Sequence, residues 1–224
     1  MSEGQLTLSL PVRPALGRED FLIAAPNADA VAWLDRWPDW PGRILVVHGA
    51  AGAGKSHLAR VWRQATGAIE IPIDDLGQAP TQSLDDSASV LVDDADRNLG
   101  ETEAERALLH LVNYVREGGG GLLLTGATAP ARWSARLPDL ASRLSAAPAV
   151  GIGPPDDALL AAILAKLFHD RQVQVGADVV AYLVSRIERS FATARDIVAR
   201  LDETALRAKR PITVPLVRRV IEDL

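Results

Sequence analysis

The sequence predicts an α/β fold with a parallel sheet, followed by a smaller unit built of helices alone. Short apolar runs without polar alternation recur up to residue 153, which is typical of strands buried on both faces. Helical segments separate these runs, as the crossovers of a parallel sheet require. After GPPDD at residues 153–157 only helical periodicity remains, so we predict a domain boundary between residues 153 and 154.

The first elements are predicted from turn residues and apolar runs. A helix near 28–36 ends where proline and glycine recur in PDWPG at 38–42. The apolar run at 43–49 closes on a glycine and predicts a buried strand. A helical pattern follows at 55–66, and the apolar residues of 68–73 predict a second strand.

The remaining elements follow from the same reasoning. Residues 89–96 predict a buried strand that ends in carboxylates, and 101–117 predict a helix that stops at a run of glycines. Two further strands are predicted at 121–127 and 149–153. Apolar residues then repeat at helical spacing in 158–171, 177–188, 192–208 and 213–223. We therefore predict three parts, which are a tail at 1–20, an α/β domain at 21–153 and a helical domain at 154–224.

Composition narrows the classes of function. The chain has 224 residues, of which 48% are hydrophobic and 24% charged, and it contains no cysteine. Disulfides and thiolate chemistry are therefore excluded. The sequence has neither an apolar run long enough to cross a membrane nor a signal peptide, so we expect a cytoplasmic protein. The net charge of −5 differs from the basic balance of direct nucleic-acid binders, so we expect no direct sequence-specific DNA binding.

A phosphate-binding loop, or P-loop, is the clearest motif. The pattern G-x-x-x-x-G-K-[ST] lies between a predicted strand and a predicted helix, and is matched by Gly49, Ala50, Ala51, Gly52, Ala53, Gly54, Lys55 and Ser56. In such a loop backbone N–H groups surround the phosphates. The lysine contacts the β- and γ-phosphates, and the hydroxyl holds Mg²⁺. The sequence therefore predicts ADP or ATP with Mg²⁺. His57 follows Ser56 and is predicted to belong to the nucleotide site, and a structural role is the alternative.

Two carboxylates follow the strand predicted at 89–96. Asp93 ends its apolar run, and at a strand tip beside the P-loop strand it is the expected partner of Mg²⁺. Asp94 is predicted to orient an attacking water, with capping of a loop or pairing with an arginine as the alternative. These residues support nucleotide binding without separating a kinase from an ATPase or a switch.

Other segments resemble a known class of ATPases. Thr125 in LLLTGATAPARW has the place of the sensor-1 residue of AAA+ proteins. Arg143 in LPDLASRL resembles the arginine finger of that class, which completes a neighbour's site. Arg195 in FATARDIVARLDETAL resembles its sensor-2 arginine. With the P-loop and VLVDDAD, these segments resemble the replication initiator DnaA, and most closely the Hda-like family of DnaA regulators, over nearly the whole chain.

The resemblance implies a role for each arginine and one departure. Arg143 would act in trans, with Arg136 as the second choice. Arg195 would reach the phosphates, with Arg189 as its rival. DnaA tends to have a carboxylate two residues after the strand-ending threonine, where this chain has Ala127, so we expect nucleotide sensing to differ. In this family an N-terminal linker passes the adenine, and the residues at that place are Phe21, Leu22 and Ile23.

The start of the chain carries a further motif of that family. Hda-like proteins have a segment of the form Q-L-x-L-x-[LF] for the DNA polymerase sliding clamp, and the matching residues are Gln5, Leu6, Thr7, Leu8, Ser9 and Leu10. Leucines at alternate positions also suit an edge strand of the protein's own sheet. The resemblance favours the clamp. DnaA has a DNA-binding domain after its AAA+ module, and we expect none here.

The resemblance implies a negative regulator of replication initiation, associated with the nucleoid and the replisome. Bound to ADP and to the clamp, it would stimulate ATP hydrolysis by DnaA through Arg143. The intact P-loop with Asp93 and Asp94 would also accept Mg·ATP. The alternatives are a free-standing P-loop ATPase or kinase, and an adaptor that links clamp and DnaA without chemistry. Formation of a homo-oligomer is left open.

Overall fold

A computed structural model of the chain describes residues 22–78, 84–85 and 87–222. The predicted tail at 1–20, with its clamp motif, lies outside the described residues, and so does Phe21. None of the helices in the described ranges is long and apolar enough to cross a membrane.

The sheet confirms the predicted parallel α/β architecture. Its strands run parallel in the order β2-β3-β4-β1-β5, and they are β1 (Ile44–His48), β2 (Ile69–Glu70), β3 (Val90–Val92), β4 (Leu122–Gly126) and β5 (Ala149–Gly151). Val47 is in register with Thr125, and Val92 with Leu124. The segments that follow β1, β3 and β4 therefore leave the same edge of the sheet side by side. The P-loop follows β1 and the two carboxylates follow β3 at this edge, and Thr125 lies beside them near the end of β4.

Helices cover both faces of this sheet. They are α1 (Ala28–Asp35), α2 (Lys55–Thr66), α3 (Thr102–Glu117) and α4 (Pro138–Ala146). Alternate residues of β1 point to opposite faces: Leu45 packs with α1 and α2, whereas Val46 packs with α3 and α4. Since both faces of the central strands are covered, β1, β3 and β4 read as unbroken apolar runs in the sequence.

The predicted strand at 68–73 is too long. β2 comprises only Ile69 and Glu70, and one further bond to its single partner β3 follows, in which the N–H of Ile71 donates to the carbonyl oxygen of Leu91 at 2.9 Å. Pro72 has no N–H to offer a ladder, and a 3₁₀ turn begins at Ile73. The apolar residues that suggested a longer strand, Ile71 and Ile73, are buried outside it against the α3 side of the sheet.

A helical unit follows β5 and completes the described chain. Its helices are α5 (Asp157–Asp170), α6 (Ala177–Val184), α7 (Phe191–Ala208) and α8 (Val214–Glu222). It has a core of its own, in which Leu160, Phe168 and Leu201 are buried. Asp156 starts α5 by accepting the N–H of Leu159 at 2.8 Å. The division between residues 153 and 154 stays a prediction.

Candidate nucleotide site

The P-loop joins β1 to α2, and its glycines adopt conformations that side chains disfavour. Gly52 has φ +70°, and Gly54, which precedes the first residue of α2, has φ +97°. A Cβ on Gly49 would lie 2.5 Å from the carbonyl oxygen of Ile152, just after β5. The loop can therefore pass this close to the end of β5 only with glycine at position 49.

Lys55 begins α2 and extends back into the loop. It is 7% exposed, and its Nζ donates to the carbonyl oxygens of Gly49 at 2.9 Å and Ala50 at 3.2 Å. These carbonyls satisfy the ammonium group, which would be costly to bury without partners. The positive charge thus lies inside the curve of the loop, beside the N-terminus of α2, where a phosphate would be attracted to both.

Thr125 links the ends of β3 and β4. Its fully buried hydroxyl donates to Asp93 Oδ1 and accepts the backbone N–H of Asp94 at 2.8 Å. Asp94 has φ +52°, which is uncommon for a residue other than glycine, and its side chain is exposed. The bond from its N–H to the Thr125 hydroxyl therefore supports a strained turn. The structure brings the predicted sensor threonine and the predicted Mg²⁺ partner into direct contact.

Asp96 lies where the sequence departs from DnaA. Its Oδ2 accepts the backbone N–H of Ala127 at 2.7 Å. A carboxylate from the loop after β3 therefore contacts the position where DnaA tends to have a carboxylate of its own. A Cβ on Gly126 would lie 2.6 Å from the Trp133 ring and 3.1 Å from the Asp96 carboxyl carbon, so glycine makes room for both. Asp96 is contained in the run DDAD, but it matches no motif and its contact was not predicted from the sequence.

The helical unit contacts the P-loop through the start of α7. The N–H of Phe191 donates to the carbonyl oxygen of Gly52 at 2.9 Å. Ser190 is buried and caps α7 by accepting the N–H groups of Ala192 and Thr193. A Cβ on Gly52 would lie 2.4 Å from Ser190 Oγ, so the absence of a side chain lets the two segments meet. The P-loop and α7 therefore form one continuous wall.

A cavity of about 490 Å³ opens between the P-loop and the helical unit. Its polar lining includes Lys55, Ser56, His57 and Arg195, and its apolar lining includes Leu22 and Ile163. Arg195 makes no ion pair with any described residue, which leaves its charge to the cavity. A pocket lined by both cations and apolar side chains suits a nucleotide, whose phosphates and base need those two environments.

Not every predicted site residue lines this cavity. Ile23 packs instead against the apolar core between the sheet and α1. The carboxylates Asp93 and Asp94 and the hydroxyl of Thr125 lie at the sheet edge beside the P-loop rather than in the cavity wall.

The candidate finger Arg143 projects from α4, which packs on α3 and does not line the cavity. Its Nε donates to Asp139 one turn earlier at 2.9 Å, and the side chain is 28% exposed. Arg189, the rival of Arg195, forms an ion pair with Asp157 at 2.8 Å. Of these two lid arginines, only Arg195 lines the cavity.

Comparison with known proteins relates the helical unit to a family and the whole chain to a known fold. Residues 157–221, which span the helical unit, match the family model "Hda, lid domain". Domain III of the Thermotoga maritima replication initiation protein DnaA has the same fold, with a TM-score of 0.80 and 17% identity, over 95% of this chain and 98% of that one. The helical unit is thus similar to the Hda lid domain, and the chain as a whole has the fold of DnaA domain III.

Two further relatives agree with this fold and length. AMPPCP-bound DnaA from Aquifex aeolicus has a TM-score of 0.69 and 17% identity, over 89% of this chain and 68% of that one. A Haemophilus influenzae protein described as uncharacterized is 29% identical over 188 residues, which are 80% of this chain and 81% of that protein.

The structure adds residues to the candidate site that the sequence patterns did not predict. Arg60 on α2 and Lys166 on α5 line the cavity and increase its positive charge, although Lys166 also pairs with Asp170 at 3.2 Å. Buried Asn27 donates to the carbonyl oxygen of Leu22 at 2.9 Å and so fixes the linker at the cavity. The position of Arg60 could have been predicted, because it lies one helical turn after Ser56 on α2. The contact of Asn27 with Leu22 has no local signal in the sequence.

Proposed function

We propose that this Hda-like protein regulates replication initiation by binding an adenine nucleotide in its P-loop cavity and by supplying Arg143 to ATP held by DnaA. The observation that carries the proposal is the placement of Arg143 on α4, outside the wall of the chain's own cavity. An arginine there does not line its own cavity and, with its side chain 28% exposed, is accessible to another subunit. A finger of this kind contributes a factor of about 10³–10⁵ to the rate of phosphoryl transfer.

The geometry of Arg143 supports action in trans. Asp139 binds only Nε, so both terminal nitrogens keep their donors for another acceptor. Two parallel N–H donors match the oxygens of a phosphate. Leu140 and Leu144 on the same helix are buried against α3, which holds α4 in place and turns Arg143 towards the surface.

The cavity supports a nucleotide as the ligand of the chain itself. Lys55, Arg60 and Arg195 would meet the phosphates, and Leu22 and Ile163 would lie towards the base. Ser56 and Asp93 are the residues that would hold Mg²⁺, which would neutralise phosphate charge. ADP is the ligand we propose, from the resemblance to the Hda-like family.

Lys55→Ala should weaken the binding of ADP and ATP at least tenfold in calorimetry, because charge-assisted hydrogen bonds are strong. Unchanged affinity for both nucleotides would remove the P-loop from the proposal.

The test of the function is ATP turnover by DnaA. DnaA is assayed alone, with this protein, and with this protein and DNA-loaded sliding clamp, and the protein is also assayed without DnaA. We expect stimulation only in the presence of DnaA, and Arg143→Ala should abolish it while nucleotide binding is unchanged. Arg207→Ala is the matched control, since Arg207 pairs with Glu203 at the same i,i+4 spacing on α7.

Other outcomes would overturn the proposal in different ways. Turnover by the chain alone at the stimulated rate would favour a free-standing ATPase. Full stimulation by Arg143→Ala would reject Arg143 as the finger, and Arg136→Ala would then be assayed as the second choice. Stimulation that survives both substitutions but needs the clamp would favour an adaptor without chemistry.

A further inference from the structure

Glu105 is a buried carboxylate that joins three segments of backbone. It lies on α3 and is 0% exposed. Its oxygens accept the N–H groups of Gly100 at 2.7 Å, Arg136 at 2.9 Å and Leu137 at 2.7 Å. No residue of the nucleotide cavity is among these partners. The phosphate chemistry proposed above therefore leaves this group unexplained.

The charge of Glu105 is kept by its partners. Burial raises the pKa of the carboxyl group, but the N–H groups of Arg136, Leu137 and Gly100 and the charge of Arg136 lower it, and the pKa lies below its ordinary value. The group is therefore ionised at neutral pH, with both oxygens available as acceptors. Loss of the charge would leave buried N–H groups poorly satisfied, which is costly.

The partners of Glu105 belong to two segments, which are the loop after β3 and the segment that leads into α4, the helix of Arg143. Gly100 ends the loop that starts at Asp93, and its φ of +102° requires glycine. Arg136 and Leu137 lead into α4, whose first residue, Pro138, has no N–H to bond. Glu105 therefore fastens the entry of α4 to the loop that carries the Mg²⁺-binding candidate.

We propose that Glu105 is a positioning residue that sets the direction of α4 and thereby the place of Arg143 in a neighbouring DnaA site. This inference rests on the proposed function. Leu140 and Leu144 hold one face of α4 against α3, and Glu105 holds the end where the helix begins. The two oxygens of a carboxylate accept hydrogen bonds from both segments at once. A glutamine amide cannot replace it, because its NH₂ group would face a backbone N–H, and both groups are donors.

The test is Glu105→Gln in the stimulated ATPase assay with DnaA. We expect the maximal stimulated rate to fall about tenfold or more, since a misplacement of about 1 Å can cost 10²-fold. The half-saturating concentration and the ADP affinity should change little. A purely structural role would lower the thermal midpoint and leave the maximal stimulated rate of the folded variant at the wild-type value.

The control is Val115→Ala, which removes buried methyl groups from the same helix and lowers stability away from α4. It should keep the maximal rate of the wild type. If Glu105→Gln does not fold, Glu105→Asp replaces it, since it keeps the charge but withdraws the carboxylate by one methylene. A wild-type maximal rate in the folded variant overturns the inference and leaves the proposed function intact. Absence of stimulation by the wild-type chain overturns both.

Discussion

The backbone N–H of Phe191, at the start of the lid helix α7, donates to the carbonyl oxygen of Gly52 in the P-loop at 2.9 Å. The same helix carries Arg195 one turn later, on the wall of the cavity. The conformation of the P-loop and the position of Arg195 are therefore mechanically connected through one peptide contact. A nucleotide that reshapes the loop would move the lid, and a displaced lid would withdraw Arg195 from the phosphates.

This connection can be tested with two glycines of equal backbone strain. Gly52 and Gly67 both have φ +70°, but a Cβ on Gly52 meets Ser190 Oγ at 2.4 Å, whereas nothing lies within 4 Å of one on Gly67. Both substitutions to alanine should cost about 1–2 kcal/mol of unfolding free energy from the left-handed backbone. Gly52→Ala should in addition push α7 away and weaken ADP binding by about tenfold, which corresponds to about 1.4 kcal/mol.

Urea unfolding and calorimetry on both variants separate the two effects. Gly67→Ala should lower stability and bind ADP like the wild type. Equal ADP affinities in the two variants would show that the contact between Ser190 and Gly52 does not control the cavity.

The hydroxyl of Thr125 is the subject of the second prediction. Thr125→Val keeps the shape but leaves the N–H of Asp94 without its acceptor and removes the donor to Asp93. A buried polar group left unsatisfied costs about 1–3 kcal/mol, and we expect a loss of this size in urea unfolding. Thr125→Ser retains the hydroxyl and should lose less. A fully stable valine variant would contradict the role of this hydroxyl in supporting the turn at Asp94.

Sequence patterns predicted the parts of this structure that depend on local periodicity. The buried strands β1, β3 and β4 were found because both of their faces are covered, and the P-loop because its motif is contiguous. The edge strand β2 was predicted too long, since Ile71 keeps one bond to β3, Pro72 ends the ladder, and Ile73 is buried by packing and not by pairing. Periodicity does not distinguish these two kinds of burial.

The parts that the sequence did not predict are contacts between distant segments. Glu105 reads as one more charge in the polar start of a helix, yet it meets Leu137 across 32 positions. Asp96 reads as part of an acidic run, yet it bonds Ala127 across 31 positions. Such roles depend on how the loops at the sheet edge fold over one another, and a single sequence carries no local record of that.

A pH dependence follows from His48 at the end of β1. Burial, and to a lesser extent the charge of Arg132, lower its pKa below 6.5. Since the unfolded chain binds a proton more readily, the stability supplied by neutral His48 is present above about pH 6.5 and is lost as the pH falls through the folded pKa. His48→Gln should flatten the pH dependence of urea unfolding in this window.

The two causes of this shift can be separated. Arg132→Gln should raise the pKa of His48 in NMR titration but leave it below 6.5, because burial is the larger cause. A pKa that returns to 6.5 would assign the shift to Arg132 alone. An unchanged pKa of His48 would show that Arg132 does not contribute to the shift.

The last prediction concerns Gln5 and Leu6 in the clamp motif, which lies outside the described residues. An extended segment that docks on a partner gains affinity from backbone pairing and from a few side chains in pockets. Loss of a buried hydrogen bond from Gln5 costs about 1–3 kcal/mol. Leu8 and Leu10 would be the apolar anchors, at about 1.5–3 kcal/mol each, and Leu6 would line the same face. Replacing Gln5 and Leu6 with alanine should weaken clamp binding by about two orders of magnitude, since each 1.4 kcal/mol is tenfold.

The edge-strand alternative makes the opposite prediction for the same double variant. If these residues belong to the protein's own sheet, the thermal midpoint falls and clamp binding, where present, is retained. If they dock on the clamp, the midpoint stays within about 1 °C, because surface changes away from the core have small effects on stability. Leu16→Ala, in the same predicted tail but outside the motif, is the matched control and should change neither quantity. A destabilised double variant that binds the clamp with wild-type affinity would reject the docking hypothesis.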